Sequence, residues 1–186
     1  NERPLAELLL IAPTIQIAEI SFNQAAGIIV LDEDLMKLFQ VQSHMRRITH
    51  RVTHAVLYVK AAAPDVVTGS KAAYVLIDEL HVFAAMSKAA DILREILGGL
   101  ASRPDGFLLT ITTQSKAPPS GVFKEKLAEA RAVRDGKLQL PILPVLYELP
   151  LKVSQDGGWR NEDTWGLVNP NLGRSVSIEF LRDELI

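Results

Sequence analysis

Asp78 and Glu79 follow directly on an unbroken apolar run, Tyr74-Val75-Leu76-Ile77. Two adjacent carboxylates at such a place can serve a hydrolytic site. One can hold a divalent cation, and the other can orient or deprotonate an attacking water. A continuous hydrophobic run marks a strand buried on both faces, as in a parallel sheet. The carboxyl ends of such strands are where ligands bind in open α/β sheets. An ordinary strand ending in a solvated acidic turn would read the same way, so the neighbours decide. His81 stands two residues past the pair. Further on, Thr110-Ile111-Thr112-Thr113-Gln114-Ser115 closes another apolar run in hydroxyls and an amide, residues that also simply cap strand ends and turns.

The elements that must position these groups alternate. Leu8-Leu9-Leu10-Ile11 is a short buried strand, stopped at Ala12-Pro13-Thr14 because proline cannot continue a central ladder. Residues 15–30 carry Ile17, Ile20 and Ile28 among alanines and predict a helix. Residues 35–54 are mixed, with a basic concentration at His44, Arg46, Arg47, His50, Arg51 and His54. This stretch reads as a solvated amphipathic helix face, with a phosphate- or subunit-facing patch as the alternative. His50 and His54 share helical i, i+4 spacing but lack the acidic partner of a zinc-binding helix. Val56–Val59 is a strand candidate, Ala61–Gly69 a loop, and residues 74–78 a strand.

Residues 87–101 are amphipathic, with Ile92, Leu93, Ile96, Leu97 and Leu100 on one stripe. Pro104-Asp105-Gly106 predicts a turn, Phe107–Thr112 a strand, and residues 122–134 a helix closed by Asp135-Gly136. Ile142–Leu149 is a last strand candidate that Pro144 weakens. Strands alternating with helices predict an α/β fold with a mostly parallel sheet. From Pro150 the chain turns polar and turn-rich, anchored by Trp159 and Trp165, with a helix expected from Ser177. The expected division is therefore a core over 1–149 and a linker or arm over 150–186.

The chain has 186 residues, net charge −2 and 48% hydrophobic content, which bounds it to one domain or one domain with an appendage. The charge gives no global nucleic-acid footprint, though a local patch remains compatible with one. No apolar run approaches the roughly 18–20 residues of a membrane-spanning helix. The absence of cysteine removes disulfides, thiol nucleophiles and cysteine-based zinc sites. Asn1 is not a methionine, and Phe180–Ile186 reads as a helix cut in mid-course, so the expectation is a piece of a longer protein.

Taken in order, the motifs carry a resemblance. The acidic strand-end resembles the Walker B element of P-loop ATPases. The succession of strand–Ala12-Pro13-Thr14, strand–Asp78-Glu79-Leu80-His81 and strand–Thr112-Thr113-Gln114-Ser115 resembles the ATPase core of tailed-bacteriophage terminase large subunits. Pro118-Pro119-Ser120-Gly121-Val122-Phe123-Lys124-Glu125 is similar to the family segment after its coupling motif. Trp159 and Thr164–Gly173, with Asn169-Pro170-Asn171, are similar to the stretch joining its ATPase and nuclease domains. The resemblance covers most of residues 8–181.

It implies a P-loop-NTPase-like sheet flanked by helices, incomplete at its N-terminal side, using ATP and Mg²⁺. Asp78 would be the Mg²⁺ ligand, through water, and Glu79 the catalytic carboxylate. Thr112, Thr113 and Gln114 would sense the nucleotide's phosphate and link it to movement, and His81 would couple the site to DNA-contacting elements. The implied activity is ATP-driven translocation of double-stranded DNA into a capsid, with a nuclease further along. The implied partners are a small terminase subunit, a portal and further copies in a ring, in the cytoplasm of a bacterial host and away from any membrane.

Two departures stand beside it. No Gly-Lys-Ser/Thr loop is present: Gly136-Lys137 is followed by Leu138, and Gly69-Ser70-Lys71-Ala72 lacks the hydroxyl after lysine. The chain also ends before the family's nuclease acids, and Asp156, Glu162, Asp163, Asp183 and Glu184 read as solvated surface. A helicase-type ATPase, or an assembly module that has lost its phosphate loop, are the competing readings.

Overall fold

The computed structural model describes residues 4–63 and 72–185. The predicted loop Ala61–Gly69, apart from its first residues, and the Gly69-Ser70-Lys71 tripeptide lie outside that range. The chain divides into two compact units, Asn1–Lys126 and Leu127–Ile186.

The first unit is built on a six-stranded sheet in the order β2-β3-β4-β1-β5-β6. The four apolar runs are its parallel strands: β1 (Glu7–Ala12), β4 (Val56–Ala61), β5 (Tyr74–Ile77) and β6 (Phe107–Thr110). β1 is paired on both sides, Leu9 standing opposite Tyr58 of β4 and Val75 of β5. Helix α1 (Ile15–Val30) starts where Thr14 accepts the Ile17 amide at 3.2 Å, satisfying one of the free N–H groups of its first turn. Its Ala18, Phe22 and Ile29 pack with Ala12 and Val59 in the buried cluster on one side of the sheet. Because side chains alternate along a strand, Leu9 and Ile11 face the other side, in register with buried Val75 and Ile77.

The basic stretch departs from its expected helix. After a short helix α2 (Glu33–Leu38), capped by Asp32, the chain forms β2 (Phe39–Gln42), a 3₁₀ turn and β3 (Arg47–His50). These strands are antiparallel, and β3 continues antiparallel onto β4. Burial decides the outcome: Val41 stands opposite Ile48 and both join the α1 cluster. Two of the basic side chains are engaged locally. Arg47 bonds Gln42 at 2.6 Å, and the His50 Nδ1 accepts the Thr53 amide at 3.1 Å, so His50 closes a turn.

Beyond β5 lie a single helical turn, α3 (Leu80–Phe83), and α4 (Ala89–Ala101), which buries Ile92, Leu93 and Ile96 of its predicted stripe together with Ala89, while Leu97 is 45% exposed and Leu100 partly buried. Helix α5 (Gly121–Arg134) follows β6. It closes at Gly136, φ +69°, where the Lys137 amide bonds Ala132 O at 2.8 Å and the Gly136 amide bonds Val133 O at 3.0 Å. This is a left-handed helix cap, which accounts for the Gly136-Lys137 dipeptide without any phosphate.

In the second unit, Ile142–Leu149 joins no ladder, against the expected strand. Pro141, Pro144 and Pro150 remove donors that a ladder would need. The segment is instead tied by Glu148, whose carboxylate takes Arg131 Nε at 3.0 Å and Nη2 at 2.6 Å, and also Arg134. Beyond it the polar stretch is a series of short helices rather than an extended arm: α6 (Leu151–Gln155), two 3₁₀ turns and α7 (Ile178–Asp183), the last capped by Ser177. Trp165 is buried and donates its indole N–H to Trp159 O at 2.9 Å, while Glu162 and Arg182 form a two-bonded fork at 2.6 Å.

Two predictions follow from these contacts. A Cβ on Gly106 would lie 2.8 Å from Ala73 O and 2.9 Å from Leu100 Cδ2, where the chain enters β6. Gly106→Ala is therefore expected to lower unfolding stability by about 1–3 kcal/mol, the usual cost of overpacking, measured by denaturant titration. The Arg131 guanidinium, aided by Arg134, holds the Glu148 carboxyl below the usual range. A depressed folded value means that its stabilisation is complete above the unfolded value, roughly 4.3. It is lost as pH falls through the lower folded value. Solvent screening limits it to about 1 kcal/mol or less. Glu148→Gln should erase that part of the acid-unfolding profile and leave the profile near neutral pH flat.

Candidate functional site

The carboxyl ends of β1, β5 and β6 are adjacent, so the chemistry-bearing residues of three separate sequence stretches meet at one edge of the sheet. Backbone bonds fix their levels. The Asp78 amide bonds Ile11 O at 2.9 Å and the Leu80 amide bonds Ile111 O at 3.1 Å. β1 is also where the connections change direction, β4 lying on one side of it and β5 on the other. Such a switch point is the usual ligand crevice of an open α/β sheet.

Asp78 leaves the strand and uses Oδ1 to accept the Glu79 amide at 3.0 Å. Glu79 takes a left-handed conformation, φ +51° and ψ +54°, and starts α3 from it. For a residue with a Cβ this conformation carries strain of order 1–3 kcal/mol, and such residues concentrate at functional sites. One carboxylate oxygen of Glu79, Oε2, is buried and has no aligned hydrogen-bond donor. The side chain otherwise keeps 34% of its surface in solvent.

His81 faces both neighbours. Its Nδ1 lies 3.2 Å from Glu79 Oε2 and 3.0 Å from Thr112 Oγ1. The Thr112 hydroxyl also accepts the His81 amide at 3.1 Å and lies 3.1 Å from the Thr113 carbonyl. Of the hydroxyl-and-amide stretch, Thr112 is thus joined to the acidic turn by side chain, Thr113 contributes its carbonyl, and Gln114 is exposed. The His81–Thr112 contact spans 31 residues of sequence, and no local pattern in the sequence announces it.

Among the described residues no three His, Asp or Glu side chains converge as a metal cage. Asp78 nevertheless suits a hard cation of the Mg²⁺ type, which keeps several waters and uses one or two carboxylates together with substrate phosphates. Helix length sets a separate limit: no described helix is long and apolar enough to cross a membrane. The basic hairpin turn, Ser43–Met45 with Arg46, also lies at the carboxyl end of β4, since β3 runs antiparallel to it.

No family model and no curated protein sequence matches the chain. Solved structures do. The large terminase of bacteriophage HK97 superposes with a TM-score of 0.79 at 17% identity, over 98% of this chain and 36% of that one. A variant of the ATPase domain of the Thermus phage P74-26 large terminase gives 0.50 at 25% identity, over 66% of this chain and 52% of that one. The chain spans little more than a third of the first protein and about half of the second. Its mixed sheet, with helices flanking it and acids at the strand ends, has the fold of the bacteriophage large terminases that its motifs resemble.

Proposed function

We propose that this chain is part of the ATPase core of a terminase large subunit, coupling ATP hydrolysis to movement of double-stranded DNA into a capsid. The observation that carries the reading is the meeting of Asp78, Glu79 and Thr112 at the carboxyl ends of adjacent parallel strands. In this role Asp78 holds Mg²⁺ through water. The bound cation would neutralise charge on the nucleotide's phosphates. Glu79 orients and deprotonates the attacking water, and its partly exposed carboxylate on a strained backbone suits that task. Thr112, Thr113 and Gln114 answer to the phosphate from the end of β6.

The phosphate cradle would belong to a further element. β6 ends the sheet among the described residues, and Phe107, Leu109 and Ile111, which alternate onto one face, are 55%, 45% and 49% exposed. A parallel strand is ordinarily covered on both faces, which favours a further helix over this face, such as one led by a glycine-rich loop. Partners on this reading are double-stranded DNA, a small terminase subunit, a portal and other copies in a ring, within the bacterial cytoplasm.

The test compares lengths. The purified 186 residues are expected to hydrolyse little or no ATP. A longer protein carrying a Gly-Lys-Thr/Ser loop upstream should turn over, and Glu79→Gln should lower that rate by about 10²-fold or more. Robust turnover by the 186-residue chain would overturn the need for an added cradle, and turnover indifferent to Glu79→Gln would overturn the catalytic assignment. A second expectation concerns strain. Glu79→Gly removes both the left-handed penalty and the orphaned oxygen, so it should raise unfolding stability by about 1 kcal/mol while abolishing hydrolysis.

A further inference from the structure

We propose that the outward face of α1 is a self-association surface, on which two copies of the chain lay their α1 helices antiparallel across a two-fold axis at Gln24. The inference stands apart from the hydrolytic reading. Its starting observation is a hydrophobic stripe on the solvent side. Ile20, Gln24, Gly27 and Leu31 are spaced by four, three and four residues, the repeat that keeps one seam of a helix facing a partner helix. The buried side of α1 is a different one, formed by Ala18, Phe22 and Ile29. Ile20 is 58% exposed, Leu31 90%, and Ile28 beside them 64%. Single exposed hydrophobic residues need no explanation, whereas a contiguous set marks an interaction surface.

Gly27 lies within this stripe. Glycine weakens a helix interior relative to alanine, and nothing in the fold asks for it, since a Cβ there would meet no atom within 4 Å. Its missing side chain leaves a gap open to the outside. Ile20 is the complementary knob, one heptad away. In an antiparallel pair centred on Gln24, Ile20 of each copy enters the gap beside Gly27 of the other and rests against Ile28. Gln24 meets its own copy at the axis, and an amide carries both the donor and the acceptor that such a pair needs.

Charge selects the second copy and its direction. Glu19 is the only charged residue of α1, and it is paired with Arg46 of the hairpin at 3.5 Å, so the seam carries no charge to repel its image. The ends of α1 are uncompensated: no acid lies in its first turn and no base in its last. Glu33 and Asp34, in the first turn of α2, follow closely on Leu31. Antiparallel pairing brings them level with the first turn of the other copy's α1, where the helix dipole favours negative charge. Parallel pairing would set the two acidic turns side by side. With 16 residues, the helix is about 24 Å long and 10 Å wide, which offers less than the roughly 800 Å² per partner of a standard interface. The pair is therefore weak. A two-fold contact also closes on itself, unlike the head-to-tail contact that builds a ring.

Analytical ultracentrifugation of the 186-residue chain, over about 5 to 500 μM to span weak association, tests the pairing. The expected result is a monomer–dimer equilibrium that Leu31→Lys weakens about tenfold or more. Gly27→Ala should also weaken it about tenfold while raising the denaturant midpoint, because the methyl that strengthens the helix fills the gap. The chain has no cysteine, so single cysteines report the direction. Gln24→Cys should oxidise to a disulfide-linked dimer. Leu31→Cys should not, its two copies standing about 21 Å apart along the seam. A chain that stays monomeric throughout would overturn the proposal and leave the face to a different partner. A dimer untouched by both Leu31→Lys and Gly27→Ala would overturn it too, as would one that Leu31→Cys locks and Gln24→Cys does not.

Discussion

The parallel pairing of β1 on both of its sides is the constraint from which the rest of the first unit follows. Parallel strands cannot be joined by tight turns, so each connection must leave from one edge and return to the other. All loops that follow β1, β4, β5 and β6 therefore open on the same edge. A buried strand with no solvent face must be apolar throughout, which leaves its carboxyl end as the first place where polar side chains are tolerated. Ala12-Pro13-Thr14, Asp78-Glu79 and Thr112-Thr113-Gln114 are polar for that reason before they are polar for any chemistry. The ladder then sets their relative heights to within one hydrogen bond: Asp78 is level with Ile11, and Leu80 with Ile111.

Against that rigid frame, strain is concentrated at one residue. Glu79 combines a left-handed backbone with a buried oxygen that lacks an aligned donor. Either feature alone would be worth removing in a protein selected for stability, and a glycine would remove both. Leu80 and Phe83, buried at 3% and 0% just after it, hold the helical turn in place and oblige the backbone at Glu79 to bend as it does. Packing thus supplies the force that keeps the carboxylate in an unrelaxed pose.

How far this was legible in the sequence depended on whether the deciding interaction was local. Continuous apolar runs located the four parallel strands, and the alternating stripe of residues 87–101 located α4. The Asp78-Glu79 turn was legible because its acids abut a strand end. The hairpin at 39–50 was hidden, since Phe39-Gln40-Val41-Gln42 alternates for four residues only. Its turn also lacks glycine and bends through Arg46 at φ +46°. Ile142–Leu149 has the hydrophobicity of a strand, but its prolines decide against a ladder. The contact of His81 with Thr112 is set by the β5–β6 register, a tertiary property that composition does not carry.

The second unit closes its contacts over short stretches of chain. The Trp165 indole reaches Trp159 across 6 residues, Arg131 reaches Glu148 across 17, and Arg182 reaches Glu162 across 20. The sheet of the first unit is different in kind: Glu7 must find Val56, and Leu8 must find Tyr74, before β1 has any neighbour. Loop closure of that length is slow relative to local pairing. Contacts of the tryptophan-centred knot therefore cost less chain entropy to close than those of the sheet, where the pairing of β1 with β5 joins residues 66 apart.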